Sequence, residues 1–187
     1  DLFNTFHKKS MFDLLQEYTG VDMQKMSTNE LLKYAKEKSL DVDDRLNYGQ
    51  LLDKIFGYFV EPKLIEPTFV VDYPKAISPL AKELRGGSND LVERFELFIG
   101  GTEYSNSFSE LNDPIEQRAR LESQNKLREE GDEEAQILDE NFIHAMEIGM
   151  PPTGGVGIGV DRLVMLFTGQ KSIKDVILFP ALRNDSK

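Results

Sequence analysis

The chain has 187 residues, of which 40% are hydrophobic and 29% charged, with a net charge of −11 and no cysteine. This composition is typical of a folded globular protein, and no apolar run reaches the ~20 residues of a membrane span, so we expect no membrane partner. The acidity disfavours general nucleic-acid binding. The lack of cysteine excludes disulfides and thiolate metal sites, and it is compatible with a cytoplasmic location.

The first third of the chain is predicted to be helical. Ser27 and Glu30 have the spacing of a capping box, which predicts a helix through residues 31–35. A second amphipathic run extends from Tyr48 to Phe59. We expect a helical, insertion-like subdomain over residues 1–66, with no chemical signal of its own.

Residues 67–187 have the pattern of a second domain that contains most of the strands. β-branched and aromatic residues predict a strand over 68–73, a second over 91–99 and a third over 102–111. Gly100 and Gly101 predict a two-residue hairpin turn, because glycine readily adopts positive φ. Strands joined in this way favour antiparallel pairing, and the fold class is predicted to be α+β, an antiparallel sheet flanked by helices.

The remaining elements alternate helix and strand. Asp113 can cap a charged helix with Pro114 in its first position, and Gly131 can close it. Further predictions are a helix around residues 138–146, a glycine-interrupted strand up to Val160, a helix over about 161–167 and a last strand over 176–179.

The predicted hairpin brings two carboxylates together. With Gly100 and Gly101 at the turn, Phe98 faces Glu103, and Glu96 shares a sheet face with Phe98. Glu96 and Glu103 are then diagonal neighbours, close enough to hold one Mg²⁺ between them. The same spacing also fits a solvent-facing strand with ordinary charges.

Three further side chains on the third strand suit an amino-acid ligand. Asn106, Phe108 and Glu110 share one face, and strict alternation places Glu103 on the other face. A β-bulge between Glu103 and Asn106 would bring all four to one side, and bulges are frequent beside active sites. A mixed-polarity edge strand is the alternative.

Three glycines at period two, Gly155, Gly157 and Gly159, precede a helix whose first turn contains Arg162. Such a strand suggests either a planar ligand lying against one face or close packing of another backbone. Arg162 and the free N–H groups of the first turn are both suited to phosphate. The pattern is neither a dinucleotide fingerprint nor a P-loop.

Seven blocks of sequence together resemble class II lysyl-tRNA synthetases. GIGVDRL at 157–163 resembles the third motif common to class II synthetases. The others resemble the lysine branch: FVVDYP (69–74), SPLAK (78–82), RFELF (94–98), SELNDP (109–114), GMPPTGG (149–155) and DVILFP (175–180). The resemblance is strong from about residue 67 to 180 and implies the C-terminal half of a class II synthetase catalytic domain over 67–187.

The resemblance also implies roles for individual residues. Glu96 and Glu103 would bind metal and ATP, and Arg162 would hold the terminal phosphate as the catalytic arginine. The remaining expected contacts are Tyr104, Gly159, Val160 and Asp161 with ATP, and Asn106, Phe108, Glu110 and Gly157 with lysine.

The implied activity is that of lysine–tRNA ligase, with ATP and lysine as substrates and Mg²⁺ as cofactor. The intact parent is expected to be a homodimer that contacts tRNA(Lys) mainly through regions outside this chain. Since the motif that supplies the α-phosphate arginine is not visible, the chain is expected to be an inactive fragment. Alternatives are a synthetase-like paralogue or interaction module that binds lysine or ATP without charging tRNA, and the aspartate or asparagine branch, against which Glu110 argues.

Overall fold

The computed structural model describes residues 5–88, 90–129, 131 and 135–180. Within these ranges the chain forms one five-stranded sheet and six α-helices, which confirms the predicted α+β class. None of the helices described has both the length and the apolar character needed to cross a membrane.

The sheet follows the order of the sequence. Its strands are β1 (His7–Ser10), β2 (Thr68–Pro74), β3 (Leu91–Ile99), β4 (Thr102–Ser109) and β5 (Gly154–Ile158). Every pair from β2 to β5 is antiparallel, as predicted, whereas β1 pairs with β2 in parallel and makes the sheet mixed. Strand β1 was not predicted, because its four residues are polar or charged and do not form a hydrophobic pattern.

The helices are α1 (Met11–Thr19), α2 (Thr28–Glu37), α3 (Tyr48–Phe59), α4 (Pro114–Glu129), α5 (Glu140–Gly149) and α6 (Val160–Thr168). The predicted capping box at Ser27 and Glu30 is confirmed, because each side chain accepts a hydrogen bond from the other residue's backbone N–H. Asp113 caps α4 as predicted by accepting hydrogen bonds from the backbone N–H groups of Ile115 and Glu116.

The main hydrophobic core lies between the first helices and one face of the sheet. Leu14 and Phe56 from α1 and α3 are buried with Val70 and Phe98 from the strands. The rings of Phe56 and Phe98 meet edge-on with their centroids 6.2 Å apart. The same sheet face continues across β4 and β5, where its side chains are less buried. The division into domains at residue 66 stays a prediction.

The predicted strand over 176–179 is wrong. A short 3₁₀ helix, Ile173–Asp175, is followed there by turns, and Leu178 and Phe179 are 88% and 92% exposed. Apolar, β-branched residues form a strand only beside a partner strand, and none of the described strands adjoins this segment. The third predicted strand also ends early, at Ser109, with Glu110 making one isolated bridge to Ala81.

Candidate functional site

The β3–β4 hairpin has the predicted turn. Gly100 and Gly101 have φ of 61° and 74°, and Ile99 pairs with Thr102. Their backbone N–H groups donate to the carbonyl oxygens of Ile65 and Leu64, both at 2.9 Å. The hairpin tip is therefore held by the segment that precedes β2.

A bulge in β4 brings the predicted site residues to one face. Leu97 pairs with Ser105 whereas Phe98 pairs with Glu103, so Tyr104 is the extra residue. The register puts Glu103 on the face of Phe98, and Glu96 opposite Asn106 on that same face. The β4 strand therefore contains the β-bulge that is needed to place Glu103 and Asn106 on one face.

Glu96 is a largely buried carboxylate, and both of its oxygens accept hydrogen bonds. It accepts hydrogen bonds from the Tyr73 hydroxyl at 2.7 Å and from Arg94 Nη2 at 2.6 Å, and its side chain is 13% exposed. Burial raises the pKa of Glu96, Arg94 and Tyr73 oppose this rise, and Glu103 adds to it. Glu96 and Glu103 are thus electrostatically coupled.

Arg94 connects Glu96 to Asn106. Besides Glu96, it donates to Asn106 Oδ1 at 3.2 Å, to the Ile77 carbonyl at 2.8 Å and to Ser78 Oγ at 2.9 Å. The Arg94 side chain is 16% exposed and therefore largely buried. Arg94 was not predicted as a site residue, although its position two residues before Glu96 places it on the same strand face.

An irregularity in β2 places Tyr73 in this network. Asp72 has φ of 57°, and the register between β2 and β3 shifts beside it. The centroid of the Tyr73 ring lies 4.7 Å from the Arg94 guanidinium carbon, and the Tyr73 hydroxyl donates a hydrogen bond to Glu96. Burial and the Glu96 charge raise the pKa of Tyr73 well above its ordinary value, so the hydroxyl stays protonated and donates. No sequence pattern signals positive φ at Asp72.

Glu103 and Arg162 pair at the start of α6. Arg162 Nη1 donates to the Glu103 carbonyl oxygen at 2.7 Å and to its Oε2 at 3.0 Å. The N-cap residue Gly159 offers no side-chain cap, and its own N–H donates to the Tyr104 carbonyl at 2.9 Å. A guanidinium and uncapped first-turn N–H groups, those of Val160 and Asp161 included, therefore lie beside the bulge, as an anion site requires.

Glu110 occupies the far end of the same face. Its backbone N–H donates to the Thr153 carbonyl at 2.9 Å. Among the described residues, its carboxylate makes no hydrogen bond or ion pair, and burial raises its pKa. β5 runs beside it, with Gly155 opposite Phe108 and Gly157 opposite Asn106. A partly buried carboxylate without a partner is suited to bind a cation.

A third carboxylate near the hairpin was not predicted. Burial raises the pKa of Glu61, and the charges of Asp53, Glu96 and Glu103 raise it further. Glu61 lies in the 3₁₀ helix Glu61–Lys63, and its distance in sequence from β3 conceals this proximity.

The donor set of the hairpin fits a hard cation in part. Glu96 and Glu103 offer oxygen ligands, which Mg²⁺ prefers. The described residues contain no group of three or more metal-binding side chains. The pair therefore fits an ion that takes its other ligands from a nucleotide and water.

Other candidates lie elsewhere. A cavity of about 730 Å³ between the first helices and α4 is lined by Phe12, Met26, Tyr48 and Arg120 among others, and by none of the predicted site residues. His7 pairs with Glu66 at 2.7 Å and His144 with Glu147 at 3.5 Å, both away from the site.

Comparison with known proteins finds a match over almost the whole chain. The family model of class II tRNA synthetases (D, K and N) matches residues 1–183. A lysine–tRNA ligase of Shouchella clausii is 51% identical over 98% of this chain and 37% of its own length. Lysine–tRNA ligases of Christiangramia forsetii and Halalkalibacterium halodurans are 48% and 52% identical over 97% and 93% of this chain. The chain spans about a third of the length of these relatives, 32% to 37%.

Proposed function

The chain belongs to the class II tRNA synthetases of the D, K and N group, and on this premise we propose that the full-length protein is a lysine–tRNA ligase. It activates lysine with ATP and transfers it to tRNA(Lys). The observation that carries the choice of lysine is Glu110, a partly buried carboxylate with no partner among the described residues, on the face that also presents Asn106. The printed names of the relatives support the same substrate.

In this proposal, Glu110 binds the ε-ammonium of lysine. An ion pair there satisfies a carboxylate that is otherwise desolvated, and a substrate with an acidic or neutral side chain leaves it unpaired. Asn106 and Phe108 contact the rest of the amino acid, and Gly157 leaves room for it on β5. Asn106 is already oriented by Arg94.

The ATP end of the site lies at the hairpin and α6. Arg162 releases Glu103 and binds the terminal phosphate, while Gly159, Val160 and Asp161 bring uncapped N–H groups to the nucleotide. Tyr104 lies beside them, because its carbonyl accepts from Gly159. Glu96 and Glu103 hold Mg²⁺, which when bound neutralises phosphate charge.

The reaction needs no protein nucleophile. A carboxylate oxygen of lysine forms a bond to the α-phosphorus as the bond to the bridging oxygen breaks, and pyrophosphate leaves with that electron pair. The residues of this chain hold the two reactants and balance the charge that develops on the phosphates. In the second step the tRNA hydroxyl displaces AMP from the lysyl-adenylate.

The partners follow from the same proposal. The acidic charge of −11 makes this segment unsuited to bind tRNA broadly, so tRNA(Lys) contacts are assigned mainly to the remainder of the full-length protein. A homodimer and a cytoplasmic location complete the proposal.

ATP–pyrophosphate exchange by the full-length protein tests this function. We expect exchange with lysine and none above background with aspartate or asparagine, the other two substrates of the group. Exchange with either of these instead of lysine would assign the protein to another branch. Binding of lysine or ATP with no exchange would favour a paralogue that does not charge tRNA.

A further inference from the structure

One glycine of β5 is in direct contact with the carboxylate of Glu110. A Cβ atom built on Gly155 would lie 2.2 Å from Glu110 Oε1 and 3.4 Å from Glu110 Cδ, whereas ordinary contact begins at 3.4 Å. The carboxylate oxygen therefore occupies the space that a side chain at position 155 would take.

The neighbouring glycines do not share this property. A Cβ on Gly154 would meet only the Phe108 carbonyl oxygen at 4.0 Å, and one on Gly157 only the Asn106 carbonyl oxygen at 3.7 Å. None of the three has a positive φ, so none is needed for backbone conformation. Of these three glycines, Gly155 alone has a carboxylate in the space that its side chain would occupy.

The backbone fixes both sides of this contact. Glu110 is tied to Thr153 through its N–H, at 2.9 Å. The Gly155 carbonyl accepts from Ser107 Oγ at 2.7 Å, and Gly155 pairs with Phe108 across the strands. Any conflict is therefore relieved by movement of the free carboxylate rather than of either strand.

We infer that Gly155 is a specificity-determining positioning residue, whose missing side chain lets the Glu110 carboxylate lie over β5 where it receives the substrate ammonium. The inference rests on the proposed function, since it assigns Glu110 to the ammonium. Gly155 acts only through Glu110 and contacts no substrate itself. The space that the Glu110 carboxylate occupies explains the glycine at position 155, and no ligand packed against β5 is needed for this explanation.

The matched variants Gly155→Ala and Gly154→Ala of the full-length protein test this inference by pyrophosphate exchange. Gly155→Ala moves the carboxylate oxygen by at least about 1 Å, a displacement that can lower kcat/KM about 100-fold. We expect kcat/KM for lysine to fall about 10- to 100-fold, mainly through KM, with the KM for ATP within about twofold of wild type. Gly154→Ala is expected to leave both parameters near wild type.

A double-mutant cycle separates action through Glu110 from a general defect in β5. In a Glu110→Ala background the added methyl group meets no carboxylate, so Gly155→Ala should have no further effect on lysine kinetics. A crystal structure of the Gly155→Ala protein should show the Glu110 carboxylate displaced and β5 unmoved.

The outcomes distinguish this inference from the function on which it rests. A wild-type protein without lysine-dependent exchange would overturn both. Wild-type exchange together with an unchanged lysine KM in Gly155→Ala would overturn the inference alone. Equal losses from Gly155→Ala and Gly154→Ala, or a loss that persists in the Glu110→Ala background, would do the same.

Discussion

Replacing Arg94 with methionine tests the network behind the site. Arg94 and Glu96 are 16% and 13% exposed, and Arg94 also holds Asn106. Removing one member of a buried ion pair leaves the other charge uncompensated and destabilises the folded state by about 3–5 kcal/mol. The change is expected to lower the free energy of unfolding by that amount, measured by urea denaturation at pH 7.

Arg85→Met is the matched control. Arg85 pairs with Glu93 at 2.5 Å, but its side chain is 82% exposed, so solvent screening should leave this pair with little effect on stability. Both arginines pair with a glutamate of β3, so the difference measures what the burial of Arg94 and its further hydrogen bonds to Asn106, Ile77 and Ser78 add. In a Glu96→Gln background Arg94→Met should cost much less, because no charge is left buried.

The loss in Arg94→Met should also depend on pH in a definite direction. Burial already raises the pKa of Glu96, and loss of Arg94 removes the main opposing effect. A raised folded pKa means that the folded state takes up a proton more readily than the unfolded chain. The destabilisation should therefore be largest at neutral pH and shrink as the pH falls toward the ordinary pKa of a glutamate. A loss equal to that of Arg85→Met, or one that grows on acidification, would refute this reasoning.

Three further predictions concern substrate binding and local order. Glu110→Gln should raise the lysine KM strongly in pyrophosphate exchange, with little effect on the KM for ATP. Because the Glu110 pKa is raised, the affinity of the wild-type protein for lysine should weaken on acidification, and the variant should lose that pH dependence. Lysine kinetics near wild type in the variant would make Glu110 structural. Arg162→Gln should lower kcat/KM for ATP about 100-fold or more. It should leave the unfolding midpoint near wild type, since Arg162 is itself exposed and its partner Glu103 is only half-buried. An unchanged rate would remove Arg162 from the catalytic assignment. Tyr73→Phe deletes the hydroxyl that donates to Glu96 and should lower the free energy of unfolding in urea by about 1–3 kcal/mol. Tyr58→Phe, at an exposed ring, is the control and should have no effect. Equal losses in the two variants would contradict the assigned hydrogen bond.

The hairpin was predictable because its determinants are local. Two adjacent glycines fix the turn, and the turn fixes the register that sets Phe98 opposite Glu103. The placement of Asn106 on the same face depended on the bulge at Tyr104. Strand alternation indicates that a bulge is needed to bring Glu103 and Asn106 to one face, but it does not predict that the chain forms one.

The rest of the site depends on contacts between distant segments. Tyr73 reaches Glu96 only through the left-handed conformation of Asp72, an energetically unfavourable state that tertiary packing must stabilise. Glu61 comes near the hairpin through the packing of the segment after α3. The wrongly predicted strand over 176–179 has the same origin, because strand propensity is realised only where a partner strand exists.

A crystal structure of the full-length protein with lysine bound would show directly whether Glu110 binds the ammonium group of the substrate. We expect the lysine Nζ at hydrogen-bond distance, about 2.7–3.2 Å, from the Glu110 carboxylate, with Asn106 beside the same ligand. An ammonium paired with a different side chain, or lysine bound away from the face shared by β4 and β5, would contradict this expectation.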